Sequence, residues 1–149
     1  DMQVELLVEG EFTPLCSPVL INKTVGLSDP ADIRKSCLLH LVDADDWEEW
    51  LTTAGIDPAF AQTGITFSDM NLVYAAAMSG QGIAMGDEFI CRNAMATGQL
   101  VRPFDINIKS KRAYYLVVSE AKADNKTVVA FCDWLKEEVM KNEAVPVMA

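Results

Sequence analysis

Between residues 38 and 118, short apolar runs alternate with capped amphipathic segments, and this alternation leaves few architectures open. Leu38-Leu39-His40-Leu41-Val42 reads as a buried strand. Asp45-Asp46 then opens a helix with Trp47, Trp50 and Leu51 at i, i+3, i+4 spacing, and Gly55 is placed to close it. Ile65-Thr66-Phe67 is a second brief strand. Ser68-Asp69 caps a third segment whose apolar stripe is Leu72, Val73, Ala76 and Ala77, ended by Gly80 and Gly82. Ile83-Ala84-Met85 is another strand, and a helix over 87–96 stops before Gly98. Strands are expected again over 100–104 and 113–118. Strand and helix in turn imply βαβ units and a mainly parallel sheet covered by helices, an α/β fold.

The flanks fit around that centre. Residues 3–14 read as extended chain, with Pro14 and Pro18 excluding a helix there. Asp29-Pro30-Ala31-Asp32 is a helix start: Asp29 can cap free amides, Pro30 suits the first helical position, and Asp32 favours the positive helix end. Near the C-terminus Val128, Phe131, Cys132, Leu135 and Val139 recur at helical spacing, with Lys136, Glu137, Lys141 and Glu143 opposite. This helix is expected to end near Asn142, followed by a loose tail over 143–149.

Charge narrows the partners. Twelve basic against 22 acidic side chains leave −10, so the chain repels phosphate. The short Lys109-Ser110-Lys111-Arg112 run reads as a solvated turn rather than a nucleic-acid contact. No apolar run is long enough for a membrane helix, and no signal peptide opens the sequence. The absence of membrane and leader signals points to a cytoplasmic chain.

Catalytic and metal chemistry find little footing. Cys16, Cys37, Cys91 and Cys132 are dispersed without a C-x-x-C pair, and His40 is the single histidine, so zinc-ligand spacing is not assembled locally. Cys37, Cys91 and Cys132 read as small buried hydrophobes in a reducing compartment. His40, between Leu39 and Leu41, reads as a structural histidine. Ser17 lacks the G-x-S-x-G surroundings of a nucleophile elbow. Gly80-Gln81-Gly82 ends a helix rather than opening one, so it is no dinucleotide fingerprint. The acidic run Asp43, Asp45, Asp46, Glu48 and Glu49 lacks a calcium loop's central glycine and reads as a solvated helix start. These readings give no enzyme, no metal and no cofactor. The Phe67-Ser68-Asp69-Met70 corner, where a strand end meets a helix start, is the geometry that binds ligands in such sheets.

Seven segments in order resemble the effector-binding domain of LysR-type transcription regulators. Phe12-Thr13-Pro14-Leu15-Cys16-Ser17-Pro18 resembles that family's extended segment ending in C-S-P. Asp29-Pro30-Ala31-Asp32-Ile33 with Leu38-Leu39-His40 resembles its P-A-D-L helix start and following strand. Trp47-Glu48-Glu49-Trp50-Leu51 with Ala54-Gly55 is similar to the W-x-x-W-L…A-G signature of the glycine-cleavage and β-lactamase regulators. Phe67-Ser68-Asp69 with the stretch 75–84 is similar to F-x-D…A-A-x-x-G-x-G-V-A. Residues 98–104, 114–117 and 131–135 match the remaining signatures.

That resemblance implies a periplasmic-binding-protein-like, type 2, two-lobed sensor, with a nearly complete second lobe and a truncated first lobe. Residues 1–17 would be a first-lobe remnant and crossing strand, 18–112 the second lobe, and 113–149 the return strand and final helix of the first lobe. About 70 opening residues of the usual sensor, and the DNA-binding domain before them, have no counterpart in this sequence. The first-lobe remnant should then oligomerise or be partly disordered. The family's ligand sits between the lobes, which implies a site of Thr13, Pro14, Ser17, Ser68, Asp69, Met70 and Tyr114. Amides after Ser68 would receive an acidic group, and the hydroxyls of Thr13 and Tyr114 would orient it. Met70 stands where relatives of this subgroup often place a small hydroxyl residue, which suggests a different or more apolar effector. The implied partners are a small-molecule effector, such as a small acid or amino-acid-like metabolite, and further copies of the chain in a homo-oligomer. DNA would be reached only through the missing domain. A periplasmic solute-binding protein of the same architecture is the alternative.

Overall fold

A computed structural model describes residues 1–23, 26–42 and 46–143. Two compact units divide the chain: one holds Asp1–Gly10 and, among the described residues, 110–143, and the other holds Glu11–Lys109. Two strands, β1 (Met2–Leu15) and β5 (Ile108–Ser119), each run through both units.

The larger unit carries the alternation. After β1 come α1 (Pro18–Lys23) and a 3-10 helix, Pro30–Lys35. Asp29 caps that turn, accepting the Ala31 amide at 2.8 Å, while Asp32 reaches back to the Asp29 amide at 2.9 Å. Satisfying free amides at both positions explains why the helix begins there. Then follow β2 (Leu38–Leu41), α2 (Asp46–Thr53), a second 3-10 turn at Pro58–Gln62, β3 (Ile65–Phe67), α3 (Met70–Met78), β4 (Ile83–Asp87) and α4 (Glu88–Ala96). Gly55 and Gly80, both at positive φ, turn the chain out of α2 and α3.

The sheet order is β3-β2-β4-β1-β5. β2 runs parallel to both β3 and β4, whereas β1 is antiparallel to β4, so the sheet is mixed at the strand that enters the unit. Successive side chains point to opposite faces, and two apolar clusters result. Leu38, Ile83, Met85 and Cys16 join Trp47, Trp50 and Ile56 of the α2 region, while Leu39, Ala84 and Leu15 join Val73, Tyr74 and Ala77 of α3. All five residues of β4 are buried, as expected of a strand covered on both faces.

Four local expectations are corrected. Residues 100–104 form no strand: only Val101 bridges to Cys16, because Pro103 cannot donate to a ladder. Leu72 is 53% exposed, and the buried stripe of α3 is Val73, Tyr74, Ala76 and Ala77. The Lys109-Ser110-Lys111-Arg112 run lies inside β5, not in a turn. In the smaller unit α5 (Lys126–Glu143) buries Val139, but Phe131 is 56% exposed and pairs with Trp134 at a centroid distance of 5.7 Å. Asp43, Asp45 and the tail over 144–149 lie outside the described residues. No described helix is long and apolar enough to cross a membrane.

Candidate functional site

Parallel strands deliver their C-terminal ends to helix starts, and the larger unit does this at α3 and α4. Asp69 leaves β3 in extended conformation and accepts the Asn71 amide at 2.7 Å. Asp87 does the same from the end of β4, accepting the Phe89 amide at 2.9 Å and the Ile90 amide at 3.4 Å. Each carboxylate satisfies amides that the helix itself leaves free. The two differ in environment. Asp87 is buried and its own amide donates to the Tyr74 hydroxyl at 3.2 Å, while Ser68 and Asp69 face solvent.

Thr13 and Pro14 stand beside the same strand end, registered against Gly86 and Met85 of β4. Both are fully buried, and the Thr13 hydroxyl donates to the Ile106 carbonyl at 3.2 Å. Met70, the first residue of α3, is half-buried. With Met85, Leu41 and Val73 it encloses a void of about 10 Å³, so methionine fills space beside the helix start that a hydroxyl residue would leave open. Ser68, Asp69 and Met70 follow the end of β3, whereas Thr13 and Pro14 lie on β1, with β2 and β4 between those two strands in the sheet. Ser17 lies two residues past the end of β1. Its amide donates to the Ala77 carbonyl at 3.2 Å and its hydroxyl accepts the Val19 amide at 3.4 Å, at the far end of α3, about 13 Å along a nine-residue helix. Tyr114 is half-buried on β5, in the smaller unit.

The remaining reactive groups are occupied structurally. His40 Nε2 donates to the Thr63 carbonyl at 2.7 Å, and its ring meets Trp47 edge-on at 6.4 Å. Burial pushes the Cys16 and Cys91 thiols up to about 11, away from the thiolate form that reacts. Burial raises Tyr74 as well. Among the described residues no cluster of His, Cys, Asp and Glu could hold a metal ion.

Two features escape sequence reasoning. A cavity of about 560 Å³ opens between β2, β3 and α2, lined by His40, Trp47, Glu48, Gln62 and Thr66 among others. Its residues come from separate elements, so no local spacing announces it. Arg92 on α4 has buried Nε and Nη1 atoms without a hydrogen-bond partner.

Known proteins resemble the chain across most of its length. A family model described as the LysR substrate binding domain matches residues 1–140. The glycine cleavage system transcriptional activator of Escherichia coli strain K12 is 33% identical over 134 residues, covering 90% of this chain and 44% of that protein. The transcriptional activator AmpR of Citrobacter koseri is 31% identical over 131 residues, covering 88% and 44%. The solved effector domain of AmpR from Pseudomonas aeruginosa superposes with a TM-score of 0.77 at 26% identity, covering 93% of this chain and 66% of that one. The AmpR effector binding domain from Citrobacter freundii gives a TM-score of 0.79 at 25% identity, covering 94% and 68%. The chain thus spans less than half the length of the curated relatives it matches.

Proposed function

The chain belongs to the LysR substrate-binding domain family, with its periplasmic-binding-protein-like α/β fold, and from that membership we propose that it is the effector-sensing part of a bacterial transcription regulator. The match over residues 1–140 carries this reading. In the parent polypeptide the sensor works in the cytoplasm as a homo-oligomer. Effector binding shifts the oligomer's arrangement, and a separate DNA-binding segment reads out the shift.

The effector corner in this reading centres on Ser68, Asp69 and Met70 at the start of α3. Asp69 already satisfies the Asn71 amide at the start of α3 and places a negative charge there. A second anion would meet that charge, so an amino-acid-like effector directing its ammonium group at Asp69 suits the corner better than a simple acid. Met70 offers the apolar wall for the effector's side chain.

Reading the parent gene upstream of Asp1 tests the functional assignment. A winged helix-turn-helix followed by further sensor sequence is the expected result, and a signal peptide would replace the regulator with a solute-binding protein. The corner is tested by Asp69→Ala in the complete sensor, which lowers effector affinity. Unchanged affinity with unchanged folding removes Asp69 from the site.

A further inference from the structure

The cavity of about 560 Å³ lies on the α2 side of the sheet and shares His40, Leu41 and Trp47 with the small void beside Met70. Strand alternation fixes the side: His40 shares a face with Leu38 of the α2-side cluster and pairs in register with Thr66. Its volume falls within the range of about 300–1,000 Å³ common to small-molecule sites.

The polar lining is rich in acceptors. Glu48 supplies a carboxylate, one oxygen of which takes the Gln62 side-chain amide at 3.0 Å, leaving the other available. A carbonyl can only accept, so His40 Nε2 must be the donor to Thr63, and Nδ1 of the neutral ring is left as an acceptor. The hydroxyl of Thr66 adds an adaptable group. Among the described residues no lysine or arginine lines the cavity. The N-terminal end of α2 would by itself favour an anion, but its first turn carries Asp46, Glu48 and Glu49, which neutralise that end. Trp47, held by its indole N–H on the Leu39 carbonyl at 3.1 Å, gives the cavity a fixed wall.

We propose that this cavity is a second ligand site, adjoining the effector corner across His40, Leu41 and Trp47, and that it takes a small organic cation: an amine or guanidine whose N–H groups donate to Glu48, His40 Nδ1 and Thr66. All of its described lining residues belong to the larger unit. It does not depend on the assignment of the effector corner.

Agmatine, a guanidine and amine without a carboxylate, is the probe, with succinate as the anionic control. Both are titrated into the 149-residue chain while the Trp47 indole and His40 ring signals are followed by NMR. Agmatine is expected to shift both signals saturably and succinate to shift neither. Glu48 is exposed, so Glu48→Gln keeps the fold, and it should weaken agmatine by about tenfold through loss of a charge-assisted hydrogen bond. The absence of a saturable shift at millimolar agmatine overturns the proposal. So does equal affinity in Glu48→Gln, and so does loss of binding in Asp69→Asn with Glu48→Gln unaffected, which would place the amine at the start of α3.

Discussion

The indole N–H of Trp50 donates to the carbonyl of Ile106 at 2.9 Å, across 56 residues of sequence. The same carbonyl accepts the Thr13 hydroxyl at 3.2 Å. One acceptor, two residues before β5 begins, thereby ties α2 and β1 to the segment that leaves the larger unit. Trp50 is fully buried and stacks obliquely on Phe104 at 5.7 Å, so packing and hydrogen bond reinforce each other.

Trp50→Phe removes the donor and part of the ring. It should cost about 1–3 kcal/mol, combining a lost buried hydrogen bond with a partly refilled cavity. The midpoint of urea unfolding reads this directly. A change below about 0.5 kcal/mol, the range of ordinary surface substitutions, would show that the Ile106 link contributes nothing to stability.

Gly82→Ala tests the close passage between α3 and β4. A Cβ there would sit 2.4 Å from the Cys37 carbonyl oxygen, a backbone atom, and 2.9 Å from the Leu39 side chain. The Ile83 amide bonds that same carbonyl at 2.9 Å, so the contact cannot relax without loosening the β2–β4 pairing. Destabilisation of about 1–3 kcal/mol is expected, again by urea unfolding. An unaffected midpoint would mean that the two strands sit farther apart than described.

Arg92→Leu should stabilise the chain. Two of its guanidinium nitrogens are buried without a hydrogen-bond partner, and an apolar side chain of similar reach avoids that desolvation. A gain of about 1 kcal/mol is expected, read as a rise in thermal midpoint. A fall would show that Arg92 has an anionic partner in solution.

Thiol ionisation sets an alkaline limit. Burial lifts Cys16 and Cys91 from 9.0 to about 11, so both keep their proton in the fold at pH values where the unfolded chain loses it. Their contribution is complete below pH 9.0 and disappears as pH rises toward 11. Thermal midpoints across that window should fall more steeply than in a Cys16→Ala, Cys91→Ala double variant. In the native chain a thiol reagent should label the half-buried Cys37 and Cys132 first, with Cys16 and Cys91 reacting only on unfolding. Prompt labelling of all four would contradict the burial.

Much of the fold was legible because its signals are local. Asp29 and Asp69 cap the helices their sequence neighbourhoods announced, and Leu38 and Leu39 pair with neighbouring strands as their apolar run implied. Where the reading failed, the deciding interaction was distant. Val101 bridges Cys16, 85 positions away by residue number, instead of extending a strand through Pro103. Leu72 has the hydrophobicity of a core residue but lies on a side of α3 left exposed among the described residues.

The candidate site divides in the same way. The Ser68-Asp69-Met70 corner could be located from a strand end followed by a capping residue, because both features occupy adjacent positions. The position of Ser17 was not legible in the sequence, since only the path of the chain after β1 carries it to the C-terminal end of α3.

By itself the sequence determined the order of the strands and α-helices from β2 to α4, the capped starts at Asp29 and Asp69, and the family. Backbone amides and apolar periodicity act within a few residues, and linear spacing records them. Tertiary structure alone decided which carbonyl receives Trp50, that Arg92 Nε and Nη1 are buried without a hydrogen-bond partner, and where His40, Glu48 and Thr66 surround a common space. These outcomes depend on how strands and helices far apart in the chain pack together, and the order of residues along the backbone carries no record of those distances.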